Sequence, residues 1–209
     1  MEKLQKTYSL IKSPIDERRA EFSLLWEKGS DLEIFRELCF CVCTPQTSAH
    51  KSWNAALMLF EKKLLEKGSI DRISEVLKNC GVRFHNNKAH YIVQNRKEFY
   101  PNTKKIIEEI LLKDDPQSIL CDQVTGWGMK EAAHFIRNIG FGDKACILDR
   151  HILRQLVIYN VIPEIPKTLS KTIYKKIDAD MKAFSQKCNI PLDALDLVFW
   201  YEETGEIFK

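Results

Sequence analysis

Gly126-Trp127-Gly128-Met129-Lys130, with Asp149 nineteen residues beyond the lysine, is the stretch whose residue types and spacing could do chemistry. Two glycines separated by one residue make a tight turn whose bare backbone can approach a phosphate closely. A lysine at the first turn of the following helix brings an amine to whatever that turn has docked. Asp149 comes at the start of a later helix, where the helix dipole favours an ionised carboxylate, a group suited to steadying a developing cation. Turn, amine and carboxylate together suggest DNA held by its backbone, with amine chemistry on one nucleotide. The plainer readings are a solvated lysine and a helix-capping aspartate. The place beside a Gly-x-Gly turn favours function for Lys130, and capping does not exclude chemistry for Asp149.

The elements that must position these groups read as helices. Asp115-Pro116 opens one by cap and first-turn proline, with Ile119, Leu120 and Val124 on its apolar side, and it ends at Thr125-Gly126. The next carries Met129, Ala132, Ala133, Ile136 and Ile139 on one stripe and closes at Gly140. Two apolar-faced helices joined by Gly-x-Gly form a helix–hairpin–helix unit over 116–139, whose exposed turn amides suit one phosphate. Past Asp149, Ile152, Leu153, Leu156 and Val157 predict a helix with Arg150 and Arg154 on another face, Arg150 being a candidate DNA contact.

Upstream, Ser30-Asp31-Leu32-Glu33 is a capping box, followed by Phe35, Leu38, Cys39 and Val42 at helical spacing. Thr44-Pro45-Gln46-Thr47-Ser48 breaks that helix and caps another that carries Trp53, Ala56, Leu57 and Phe60 inward. Ile73, Val76, Leu77 and Cys80 form a stripe stopped by Gly81. Asn86 or Asn87 is the expected cap of the next helix, which buries Ala89, Ile92 and Val93. Ile106, Ile107, Ile110 and Leu111 mark one more. Beyond Pro163 and Pro166, Lys167, Lys171 and Lys175 read as a solvated face, with a DNA flank as the alternative. The last helix carries Leu192, Leu195, Val198 and Phe199 and ends near Gly205. No run of alternating β-branched residues occurs, so the fold class is all-α.

The chain of 209 residues suits one domain or two small lobes sharing a core. A net charge of +3 permits nucleic-acid binding without arguing for it, so DNA contacts must come from local placement. No stretch has the length of a membrane helix, and the N-terminus lacks the apolar core of a signal peptide, so a cytoplasmic protein is expected. Cys39, Cys41 and Cys43 would point about 200° apart in succession on a helix and cannot converge on a metal, so they read as small apolar core residues. No four-cysteine loop for an iron–sulfur cluster exists, and no cofactor is expected to be required.

From Val124 through Lys130 to Asp149 the sequence resembles the helix–hairpin–helix superfamily of base-excision DNA glycosylases. Thr44-Pro45-Gln46-Thr47-Ser48-Ala49 resembles the loop from which such enzymes insert a polar wedge, and residues 81–89 resemble a second shared block. The ending Leu195–Lys209 is similar to the compact 8-oxoguanine DNA glycosylase/lyases of archaea and some bacteria. The likeness covers essentially the whole chain.

That resemblance implies two helical lobes flanking an active-site cleft, with lobes over about 30–114 and over 1–29 plus 115–209. It implies double-stranded DNA containing 8-oxoguanine as partner, a monomer, and a prokaryotic, nucleoid-associated setting. Lys130 would attack the sugar carbon of an everted nucleotide and then cleave the strand by β-elimination. An amine with the ordinary lysine pKa of about 10.4 is mostly protonated at neutral pH, so the site must favour the neutral form. Asp149 would stabilise the oxocarbenium-like sugar. Lys209, through a terminal carboxylate, would contact the base, with Phe84 and Trp200 sandwiching it, although either ring could equally be core. Gln46 would be the wedge, and Gly126, Gly128 and Arg150 would hold the DNA backbone. Main-chain carbonyls of Asp122, Val124 and Trp127 would hold Na+ or K+. The alternatives are a glycosylase of the same fold for another lesion, or a non-catalytic helix–hairpin–helix DNA-binding module.

Overall fold

The computed structural model describes residues 1–209, and every regular element is a helix, as the sequence periodicity predicts. In chain order these are α1 (Glu2–Lys28), α2 (Asp31–Cys43), α3 (Ala49–Glu61), α4 (Leu64–Lys67), α5 (Ile70–Asn79) and α6 (His85–Phe99). There follow α7 (Thr103–Leu111), α8 (Pro116–Gln123), α9 (Met129–Asn138), α10 (Arg150–Ile158), α11 (Lys171–Cys188) and α12 (Leu192–Thr204). The chain divides into two compact units, Leu24–Phe135 and Met1–Ser23 with Ile136–Lys209. Residues 115–135, which the resemblance placed with the terminal helices, fall in the first of these, where α8 packs on α7 and Asn95 of α6 holds Thr125.

In the middle unit α2 is the central helix. Ser30 and Glu33 close the expected capping box at its start. Ile34, Phe35, Leu38, Cys39, Phe40, Cys41, Val42 and Cys43 are all buried, so the helix is enclosed on every side. The alternate cysteines are thus core residues, and burial pushes the Cys43 thiol up to about 12. Helix α3 buries Ser52, Ala55, Ala56 and Leu59, a stripe rotated from the expected one. Small side chains let α3 approach α2 closely, while Trp53 and Phe60 flank the seam and take the Arg36 guanidinium over their rings at 5.1 and 4.9 Å.

Helix α6 starts without the asparagine cap the sequence suggests. Its N-cap is Phe84, in a left-handed conformation with φ 57°, and Asn86 lies inside the helix, accepting a hydrogen bond from Ser74 Oγ at 2.6 Å. A tie to the neighbouring α5 has drawn that side chain away from capping.

In the other unit, Pro14 sits inside α1 and the helix is bent at Ile11, where a proline ring and the lost amide disrupt the ladder one turn back. Tyr159, Phe184 and Phe199 form a cluster among α10, α11 and α12 in which each ring meets the other two, with centroids 5.5 to 6.4 Å apart.

Candidate active site

The hairpin is held from both sides. Asp115 caps α8 through the Ser118 amide at 3.2 Å, and the buried Gln117 side chain donates to the Met129 carbonyl at 2.8 Å, joining α8 to α9. Asn95, wholly buried on α6, accepts the Thr125 amide at 2.8 Å and donates to the Thr125 carbonyl at 3.0 Å. The two glycines have separate reasons to be there. Gly126 has φ +89°, and a Cβ on it would lie 2.4 Å from the Tyr91 ring. Gly128 has no positive φ, and its Cβ would meet only the end of the Glu131 side chain at 3.3 Å. Folding demands the first glycine, whereas at the second a Cβ would displace only the flexible end of a side chain.

The turn amides are less open than the sequence suggests. The Trp127 amide donates to the Val124 carbonyl at 3.2 Å, and the Gly128 amide donates to Glu131 Oε2 at 3.2 Å. A carboxylate of the protein therefore already occupies the helix start that attracts anions. The same carboxylate reaches Lys130 Nζ at 3.3 Å, and that amine donates to Thr44 Oγ1 at 3.4 Å. Lys130, 24% exposed, is fixed between the first turn of α9 and the end of α2.

Thr44 opens the loop that carries Gln46, and α6 holds that loop in place. Lys88, only 3% exposed, donates to the Cys43 and Pro45 carbonyls at 2.7 Å each and to Thr47 Oγ1 at 3.3 Å. Thr47 Oγ1 also accepts the Arg83 amide at 3.1 Å, which ties the 44–48 loop to the segment leading into Phe84. Gln46 and Phe84 are both exposed and both left-handed, with φ 56° and 57°. Such backbone is strained for a side chain larger than glycine and clusters at functional sites. Phe84 is 52% exposed under the Arg83 guanidinium and is not a core residue.

Lys88, Tyr91 and Asn95 thus form one face of α6 that sets both the loop and the hairpin, and none of them stood out in the sequence. The signal was present: Lys88 and Asn95 share the stripe of Ile92 and Phe99, and a polar residue on a core stripe needs a buried partner.

Asp149, Arg150, Trp200 and Lys209 belong to the other unit. Asp149 is the N-cap of α10, and its Oδ1 accepts the His151 and Ile152 amides at 2.8 and 2.9 Å, leaving Oδ2 outside the cap. Arg150 is exposed on the first turn. The His151 ring meets Trp200 edge-on at 5.2 Å, so the start of α10 and the end of α12 lie together. Glu203 fastens them, accepting from Gln155 at 2.8 Å and facing His151 and Arg154. After Gly205 the tail folds back: Lys209 Nζ lies 5.8 Å from the centre of the Phe22 ring, whose other cation is Arg137.

No group of three His, Cys, Asp or Glu side chains could hold a metal ion. A monovalent cation needs only neutral oxygens, and the residues fit one: Asp122 lies in the last turn of α8 and Val124 is its C-cap, at the negative end of the helix dipole. The Val124 carbonyl spends one lone pair on the Trp127 amide and keeps the other.

Comparison with known proteins gives one answer. The profile of the 8-oxoguanine DNA glycosylase family matches residues 15–190. An 8-oxoguanine DNA glycosylase/AP lyase of Fusobacterium nucleatum is 38% identical over 99% of this chain and 96% of its own. The Methanocaldococcus jannaschii protein of the same name is 38% identical over 96% of this chain and 94% of its own. A crystal structure of the M. jannaschii glycosylase/lyase with a 15mer DNA containing 8-oxoguanine superposes with a TM-score of 0.90 at 35% identity, covering 100% of both chains. The 8-oxoguanine DNA glycosylase of Thermotoga maritima gives 0.89 at 30% identity, over 100% of this chain and 97% of that one. The chain belongs to the 8-oxoguanine DNA glycosylase family.

Proposed function

We propose that this protein is a bifunctional 8-oxoguanine DNA glycosylase and AP lyase of base-excision repair, acting on double-stranded DNA in the cytoplasm. The observation that carries the reading is the Lys130 amine, steadied by Thr44 and Glu131 at the first turn after a Gly-x-Gly hairpin. Gly128, whose missing Cβ the fold does not require, lets a backbone phosphate approach.

The damaged nucleotide leaves the stack, with Gln46 filling the gap and Arg150 on the backbone. Lys130 Nζ, once neutral, bonds to C1′ as the glycosidic bond breaks, and the base departs with that electron pair. Asp149 places negative charge against the cationic sugar. The ring opens to an imine on Lys130. Loss of a C2′ proton then expels the 3′ phosphate, and hydrolysis of the imine frees the amine. Phe84, Trp200 and Lys209 are the candidate base contacts. The carbonyls of Asp122, Val124 and Trp127 would hold a monovalent cation, which would brace the hairpin against the phosphate.

Borohydride trapping on duplex DNA carrying 8-oxoguanine tests the reading. A lyase yields a covalent protein–DNA adduct that Lys130→Gln abolishes. A helix–hairpin–helix module that merely clamps DNA yields none.

A further inference from the structure

We infer that Lys88 is a positioning residue that locks the Gln46 loop and the Phe84 turn into one two-pronged unit, and that it does so as an ammonium ion. The inference rests on the reading above, because the prongs matter only if the enzyme everts a nucleotide.

A lysine ammonium has three N–H donors and no acceptor. Lys88 Nζ has three acceptors, the Cys43 carbonyl, the Pro45 carbonyl and Thr47 Oγ1. They span the chain on both sides of Gln46, and Thr47 passes the hold on to the Arg83 amide beside Phe84. Neither Gln46 nor Phe84 sits in a comfortable conformation, so each needs surroundings that over-determine it. A neutral amine would leave one of the three acceptors unserved in a buried place.

The charge is not secure. Burial pulls the Lys88 pKa down to about 8. The groups facing it are the Cys43 thiol from α2, Glu131 and Lys130 from α9, and Arg83 from the preceding turn. Glu131 favours the ammonium, while Lys130 and Arg83 oppose it. The clamp therefore loosens as pH rises through about 8, and the wedge loses its fixed geometry with it.

The test separates eversion from amine chemistry. Single-turnover excision of 8-oxoguanine from duplex DNA needs both prongs; borohydride trapping on a single-stranded abasic oligonucleotide needs the Lys130 amine without eversion. Lys88→Met, which keeps the stem and removes the donors, should slow duplex excision by roughly ten- to a hundredfold, the scale of loss from a misplacement of about an ångström, and slow trapping far less. In the wild type the ratio of the two rates should fall above about pH 8, and in Lys88→Met it should be flat. Gln46→Ala should cost much less in the Lys88→Met background than alone, since a freed loop has no wedge left to lose. Equal loss on both substrates, with a pH-independent ratio in the wild type, would mean that Lys88 only supports the fold and would overturn the inference. If Lys88→Met does not fold, the wild-type ratio alone decides it. Absence of any trapping by the wild type would instead sink the lyase reading itself.

Discussion

The Glu131 carboxylate joins the Lys130 amine, 3.3 Å away, to the Gly128 amide, which donates to its other oxygen at 3.2 Å. A negative charge of the protein thus stands where a DNA phosphate is expected to dock, and it must yield when the phosphate arrives. Glu131→Gln keeps an acceptor for the amide and removes the charge. Its affinity for undamaged duplex should rise several-fold at low salt, and the gain should shrink as salt screens exposed charges. Fluorescence anisotropy at two salt concentrations measures both effects. An affinity equal to wild type at low salt would mean that the carboxylate is no obstacle to DNA.

The hairpin glycines should separate stability from binding. Gly126→Ala forces a side chain into left-handed backbone and against Tyr91, so unfolding in denaturant should show a loss of about 1–3 kcal/mol. Gly128→Ala meets only a flexible carboxylate end, and its stability should stay within about 0.5 kcal/mol of wild type. Duplex affinity should nonetheless fall, because a Cβ there keeps a phosphate off the backbone. Undiminished affinity in Gly128→Ala would place the phosphate elsewhere.

Local signals carried the sequence reading far. The capping box at Ser30, the Asp115-Pro116 start and the Gly140 stop are each made by neighbours within a few residues, and each stands where its residue types predict. What failed needed partners distant in sequence. Asn86 has a capping residue's chemistry but is drawn to Ser74 on α5. The inward face of α3 is set by what α2 leaves room for, so small Ala55 and Ser52 win over Trp53. Among the candidate residues, the turn glycine Gly126 and the helix cap Asp149 were legible, because a left-handed turn and an N-cap are both set by near neighbours along the chain. Lys88 and Asn95 were not, since their acceptors at Pro45 and Thr125 lie 43 and 30 residues away.

Acid should loosen the unit that carries Asp149. Burial raises the Glu203 pKa, but the hydrogen bonds from Gln155 and His151 and the Arg154 charge outweigh it and hold the carboxyl below its usual range. A pKa lowered in the folded state contributes stability that is complete above the unfolded value of about 4.3 and fades as pH falls through the folded one. Glu203→Gln should therefore melt about 2–4 °C lower than wild type at pH 7, the shift that roughly 1 kcal/mol produces in a chain of this size. The gap should begin to close as the pH falls past the unfolded value of about 4.3 and should vanish only below the lowered folded one. A gap that stays constant with pH would show that the amide differs by packing alone.

Asp149 can be divided into cap and charge. Its Oδ1 accepts two amides of the first turn of α10, a duty that asparagine performs about as well. Asp149→Asn should accordingly melt within about 2 °C of wild type, where Asp149→Ala, losing roughly 1 kcal/mol of capping, melts lower. Duplex binding should persist in the asparagine variant, because an amide at the N-cap keeps the first turn of α10, and Arg150 on it, in place. If Asp149 supplies the stabilising charge proposed for it, base removal should nevertheless fall by about two to three orders of magnitude. Single-turnover excision beside anisotropy on the same damaged duplex reads both. Parallel loss of binding and cleavage would reduce Asp149 to a structural cap and move the stabilising charge to another carboxylate.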